Sequence, residues 1–175
     1  MPRPRARPLR LDPTACLRAA GRTAIFRLAE GSQAGGGMKR LKIYVDGASR
    51  GNPGPAGYGV CIRKETGEGY IEFSEYIGET TNSVAEYQAL IRALEEAKKL
   101  KASVLDIFTD SQLVARQFEG VYKVKHEVLK EIMSRVRELE NEFSRVTVKH
   151  IPRSSHPGNK RADRLANIAL NRAGK

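Results

Sequence analysis

Asp46, Glu86, Asp110 and Asp163 stand where the pattern around them would more readily take an apolar or neutral side chain. Asp46 closes the run Ile43-Tyr44-Val45 in "LKIYVDGASRGNPGPAGYG", at the end of an expected central strand. A carboxylate buried there needs a cation or hydrogen-bond donors, unless it opens the next turn by accepting backbone N–H bonds. Glu86 precedes Ala89, Leu90, Ala93 and Ala97 at three- and four-residue spacings, on the sheet-facing side of a helix. A solvated glutamate would instead share the wet side with Glu95, Lys98 and Lys99. Asp110 ends "VLDIFT" and opens "DSQLVARQF". It is either an N-cap or a second acid at a strand's carboxyl end, where α/β proteins gather their sites. Asp163, in "NKRADRLANIAL", is either a first-turn acid stabilised by the helix dipole or the fourth member of the set.

The chemistry of such a set is narrow. A sugar-cleaving carboxyl pair needs a carbohydrate platform, and this chain has no Trp. Zinc fits poorly, because His126, His150 and His156 form no HExxH or His/Cys spacing. Hard oxygen ligands in a basic protein suit Mg²⁺ or Mn²⁺. Two such ions about 4 Å apart activate a water and stabilise the leaving oxygen in phosphoryl transfer.

The elements that must position the acids follow from periodicity. "LKIYV" reads as a strand, and "AGYGVCIRK" and "GYIEFSEYIG" as a hairpin turning near Thr66-Gly67. "NSVAEYQALIRALEEAKKL" predicts a helix of about five turns, "SVLDIFTD" a strand, and "SQLVARQF" a short helix. "KVKHEVLKEIMSRVRELE" predicts a further helix, with Leu129, Ile132, Met133, Val136 and Leu139 as its apolar stripe and i,i+4 charge pairs on its wet face. "FSRVTVKHI" is the fifth strand and "NKRADRLANIALNRAG" the last helix. A hairpin followed by strands separated by helices implies an α/β protein with a mixed five-stranded sheet flanked by helices.

The chain has 175 residues and a formal net charge of +11, which favours anionic partners through counterion release. No apolar run approaches the roughly 18 residues of a membrane span. Cys16 and Cys61 suggest neither a disulfide framework nor a thiolate metal site, consistent with a reducing, cytoplasmic setting. Residues 1–37 are expected to be a separate basic extension, with seven Arg against Asp12 and Glu30. Asp12 and Pro13 would start a short helix, and "GSQAGGG" would act as a flexible linker. The extension reads as a nucleic-acid tail, a targeting peptide, or translation upstream of a true start at Met38. Residues 38–175 are expected to form the catalytic domain.

Four motifs in order, "DGASRGNPGPAGYG", "TTNSVAEYQAL", "TDSQLV" and "GNKRADRLA", resemble those of type 1 ribonuclease H and spread over residues 41–172. The resemblance implies the ribonuclease H-like fold. It implies an endonuclease that cuts the RNA strand of RNA–DNA hybrids with two divalent ions, leaving 3′-hydroxyl and 5′-phosphate ends. It gives Asp46 and Asp110 the bridging or coordinating roles, has Glu86 hold one ion and orient the water, and has Asp163 complete the second site. It places RNA-strand contacts on Ala48, Ser49, Asn52 and Gln112, and minor-groove contacts on Asn82 and Ser83. Glycines such as Gly47 and Gly51 would let the backbone approach the 2′-hydroxyls of an A-form groove.

The chain departs from the family's bacterial archetype in two places. The position of the flexible-loop histidine, six residues before Asn159, holds Arg153, and His156 lies three before Asn159. Turnover therefore falls to His156, to Arg153, or to neither. The basic handle for the DNA strand is absent, leaving "EGVYKVKHE" with Lys123 and Lys125 as phosphate contacts. Relatives without the handle include some that also accept double-stranded RNA. A non-cleaving hybrid-binding module is the rival reading, yet none of the four carboxylates is missing. A transposase or resolvase relative would need more than the 138 residues from Met38. A monomer without an obligate partner is expected.

Overall fold

The computed structural model describes residues 39–64 and 70–174. The extension 1–37, Met38 and the Thr66-Gly67 turn lie outside the described residues. Three antiparallel strands come first: β1 (Arg40–Ser49), β2 (Gly54–Lys64) and β3 (Tyr70–Thr80). Helix α1 (Asn82–Lys99) leads to β4 (Val104–Thr109), followed by the short α2 (Gln112–Phe118) and α3 (Glu127–Glu140). Strand β5 (Arg145–His150) and α4 (Pro157–Arg172) complete the order. The sheet runs β3-β2-β1-β4-β5, with β4 parallel to both β1 and β5. This is the mixed five-stranded sheet of the ribonuclease H-like fold.

Alternation along β1 sends Leu41, Ile43 and Val45 to one face, where they pack with Leu90, Leu94, Leu105, Ile107 and Val136 from α1, β4 and α3. Helix α3 begins at Glu127, four residues later than the periodicity suggested, and Met133, Val136 and Leu139 are its buried residues. Leu129 and Ile132 pack at the margin of the same core. Its charges pair at i,i+3 rather than i,i+4: Lys130 with Glu127, Arg135 with Glu138, Arg137 with Glu140. No helix among the described residues is long and apolar enough to cross a membrane.

The opposite face carries α4, seated on β2 with almost nothing between them. A Cβ on Gly59 would lie 2.1 Å from the Ala162 carbonyl oxygen and 2.7 Å from Leu165 Cβ. Gly59→Ala is therefore expected to push α4 off the sheet. The cost of such overpacking is about 1–3 kcal/mol, read as a lower urea midpoint at unchanged m value. An unchanged midpoint would show that α4 relocates freely.

Candidate active site

Strand β1 does not stop at Val45. Its parallel pairing with β4 ends at Tyr44↔Phe108, but its antiparallel pairing with β2 continues through Asp46↔Gly59 to Ser49↔Ala56. Asp46 thus lies inside a strand rather than at its end, just past the last residue that β4 covers. Only 3% of it is exposed. Beside it, Gly47 lets the first turn of α1 rest on the strand: a Cβ there would sit 2.2 Å from the Glu86 nitrogen. That close approach fixes how far Glu86 stands from Asp46.

Thr81 caps α1 by accepting the Val84 N–H, and Lys98 and Lys99 complement the helix dipole at its other end. Glu86 is buried on the sheet-facing side, as the spacing of Ala89, Leu90, Ala93 and Ala97 implied. Two donors reach its carboxylate: Asn82 Nδ2 at 3.4 Å and the Thr109 hydroxyl at 3.5 Å. Asp110 follows β4 directly. The capping alternative for it does not hold, because Ser111 is the N-cap of α2 and accepts from the Val114 N–H. One oxygen each from Asp46, Glu86 and Asp110 lie within 4.8 Å of one another.

This proximity is electrostatically unfavourable as it stands. Burial, with Glu86, Asp110 and Asp163 nearby, pushes the Asp46 carboxyl up to about 9. Burial and Asp110 push Glu86 to about 8, against the pull of its Thr109 and Asn82 hydrogen bonds. Clustered, desolvated oxygens with few donors form a set that a hard divalent cation fits. Asp46, Glu86 and Asp110 would hold such an ion.

Asp163 projects from α4 at the rim, its side chain 33% exposed, and is tied in by Arg153. The guanidinium reaches Asp163 Oδ1 at 2.6 Å and Asp110 Oδ2 at 3.7 Å, so one cation spans two of the acids. The loop bearing Arg153 is anchored elsewhere. Asn159, the substrate-contact candidate of the last motif, is buried, and its Oδ1 accepts the Ser154 N–H. His156 caps α4 by accepting the Gly158 N–H at Nδ1, stacks on Tyr44 at 4.6 Å, and places Nε2 3.2 Å from the Tyr44 hydroxyl. Both ring nitrogens of His156 are engaged, and Arg153 on the same loop faces the acids.

The glycine-rich turn is clasped to the start of α1, where Asn52 Oδ1 accepts the Asn82 N–H at 3.2 Å. Ala48, Ser49 and Ser83 are half-buried at this rim, and Gln112 is exposed beside Asp110 on α2. Beyond α2, Leu113, Val121, Tyr122, Lys123, Lys125 and Leu129 line an open groove of about 560 Å³. Sequence reasoning passed over two residues here. Thr109 falls on the inward side by the alternation that buries Leu105 and Ile107, which was the available signal. Gln117 had none: it is buried, accepts the Tyr87 hydroxyl at 2.7 Å, and donates to the Lys123 carbonyl.

A mixed sheet of this order with three converging carboxylates defines a ribonuclease H-like protein with an acidic, cation-binding type of site. The family model described as "Reverse transcriptase-like" matches residues 44–169. The chain is 41% identical to the bifunctional protein Rv2228c of Mycobacterium tuberculosis over 77% of its own length, and spans 36% of that relative. It is 36% identical to ribonuclease H of Nitrosomonas eutropha, covering 74% of this chain and 89% of that one. Among solved structures it is similar to LC11-RNase H1 in complex with RNA/DNA hybrid, at 45% identity and a TM-score of 0.71, covering 77% of this chain and 99% of that one. The chain belongs to the type 1 ribonuclease H family.

Proposed function

We propose that residues 38–175 hydrolyse the RNA strand of RNA–DNA hybrids, leaving 3′-hydroxyl and 5′-phosphate ends. The observation that carries this reading is the meeting of the Asp46, Glu86 and Asp110 oxygens within 4.8 Å of one another, where β1, α1 and the end of β4 come together. Two Mg²⁺ or Mn²⁺ ions would supply the Lewis acidity that activates the water and stabilises the departing 3′ oxygen. Asp46 and Asp110 hold that charge centrally, Glu86 orients the water, and Asp163 completes the second position.

The remaining residues position the strand. Ala48, Ser49, Asn52 and Gln112 line the rim where small side chains let the backbone meet 2′-hydroxyls. Asn82 and Ser83 follow along the minor groove, and Gly47 keeps α1 close enough for them to do so. Contacts of this kind go to sugar and phosphate, so cleavage is expected to be indifferent to base sequence. Arg153 reaches two of the acids and serves turnover, His156 and Asn159 hold its loop, and Lys123 and Lys125 take phosphates of the second strand. Thr109 positions Glu86.

The test labels the RNA strand of a hybrid and incubates it with Mg²⁺, Mn²⁺ or EDTA. Internal cuts with either ion and none with EDTA are expected; binding without cutting would leave only a hybrid-binding module. Parallel arms with single-stranded RNA, duplex RNA and duplex DNA define whether double-stranded RNA is a second substrate.

A further inference from the structure

One face of the sheet is only partly roofed. Helix α4 lies over β3, β2 and β1, and the outward side chains of β4 and β5 extend beyond it. Two rows cross this face in register: Arg63, Lys42, Asp106 and Thr147, then Cys61, Tyr44, Phe108 and Lys149. Apart from Asp46 of the acidic cluster, which shares this face through its pairing with Gly59, the acids of the β3 and β4 rows here are already neutralised. Asp106 takes Arg40 Nε at 2.9 Å and the Thr147 hydroxyl at 2.9 Å, and Glu72 takes Arg161. Among the described residues, no ion pair holds Lys42, Arg63 or Lys149.

Among the described residues these three cations have no acid paired with them, and the positive field they leave attracts polyanions. The field reaches the active-site loop. His156, stacked on Tyr44, has its pKa held below the usual value by burial first and then by Arg63 and Lys42. The same loop carries Arg153 to Asp110 and Asp163. Lys149 pairs with Phe108, two residues before Asp110, so the face begins within about 10 Å of the carboxylates, while Lys42 stands four strand residues, about 13 Å, from Asp46.

We propose that Lys42, Arg63 and Lys149 form an auxiliary docking surface for the phosphodiester backbone of the hybrid beyond the cleaved bond. The choice of polyanion rests on the hybrid-cleaving reading; the charge pattern does not. The surface shares the α4 side of the sheet with Asp46 and extends from there toward Lys42 and Arg63, so it adds length to the grip.

The experiment compares wild type with Lys42→Gln/Arg63→Gln/Lys149→Gln. It measures Kd against salt in EDTA for 8- and 24-base-pair hybrids. The short hybrid reaches about 14 Å either side of its centre, which takes in Lys149 and has Lys42 and Arg63 at its limit. For the long hybrid, the slope of log affinity against log salt is expected to be shallower in the variant by about 2–3, with roughly tenfold weaker binding near 100 mM salt. For the short hybrid, the slope should change by no more than about 1, and the Mg²⁺-dependent cleavage rate should match wild type. The charge-preserving variant Lys42→Arg/Arg63→Lys/Lys149→Arg should keep the wild-type slope. Equal slopes on the long hybrid, or equal losses on both lengths, would overturn the proposal. Absence of cleavage by wild type on either hybrid would instead count against the hydrolytic reading and leave this binding result standing.

Discussion

Asp46→Asn is expected to lower hybrid cleavage about a thousandfold, equivalent to about 4 kcal/mol of barrier, while the protein stays folded. Asp46 feels Glu86, Asp110 and Asp163 together, and so lies at the electrostatic centre of the set. The amide keeps the shape and removes the charge that would hold a divalent ion. Because the lost charge is one the fold accommodates badly, the ion-free variant should also melt higher than wild type at neutral pH. Single-turnover cleavage and far-UV circular dichroism check the two halves. Retention of more than a tenth of the activity would remove Asp46 from its assigned place.

The second large effect is a pH dependence of stability in EDTA. The Asp46 carboxyl rises from 3.8 to about 9 on folding, and that of Glu86 from 4.5 to about 8. Between these limits the folded state binds more protons than the unfolded one, so stability falls as pH rises. As far as this site is concerned it is greatest below about pH 4, declines from there through pH 8–9, and levels off above. A combined shift of only two units would be about 2.7 kcal/mol, a drop in Tm of roughly 5–10 °C for a domain of this size. Mg²⁺ or Mn²⁺ should restore Tm at high pH, since binding to the folded state alone stabilises it by mass action. Asp46→Asn should flatten the profile and shrink the ion-induced shift. Parallel Tm profiles for wild type and variant would falsify the claim that repulsion in this cluster limits stability.

Much of the architecture was legible because its signals are local. Alternation marked β2, β3 and β5, and the spacing of Ala89, Leu90, Ala93 and Ala97 put Glu86 on the inward side of α1. The end of β1 was not legible. Glycines after Asp46 look like a turn, whereas their strand character comes from pairing with β2, a partner that local propensity does not register. The start of α3 was misjudged for a similar reason: residues before Glu127 fit the helical pattern, but Gln117 holds the Lys123 carbonyl in a tertiary hydrogen bond.

The site divided along the same line. Glu86 and Asp110 could be paired with their elements from sequence, since an inward helix face and a strand end dictate direction, whereas Asp46 lies within a strand that runs on to Ser49. Thr109 and Arg153 act through distance to particular oxygens, which spacing in the chain does not encode. His156 shows the limit most plainly. Its position near the last motif suggested a part in turnover, and spacing gave no sign that it also caps α4 and stacks on Tyr44, a residue 112 positions away.

The bare contact at Gly59 has a practical consequence for engineering. The elevation of the last carboxylate above the sheet is calibrated by two missing methyl groups, at Gly57 and Gly59, about a hundred residues upstream of it. A chimera that imports the final helix from a cousin inherits the right geometry only if the recipient strand is equally bare there. The transferable module is the strand and helix together, not the motif alone.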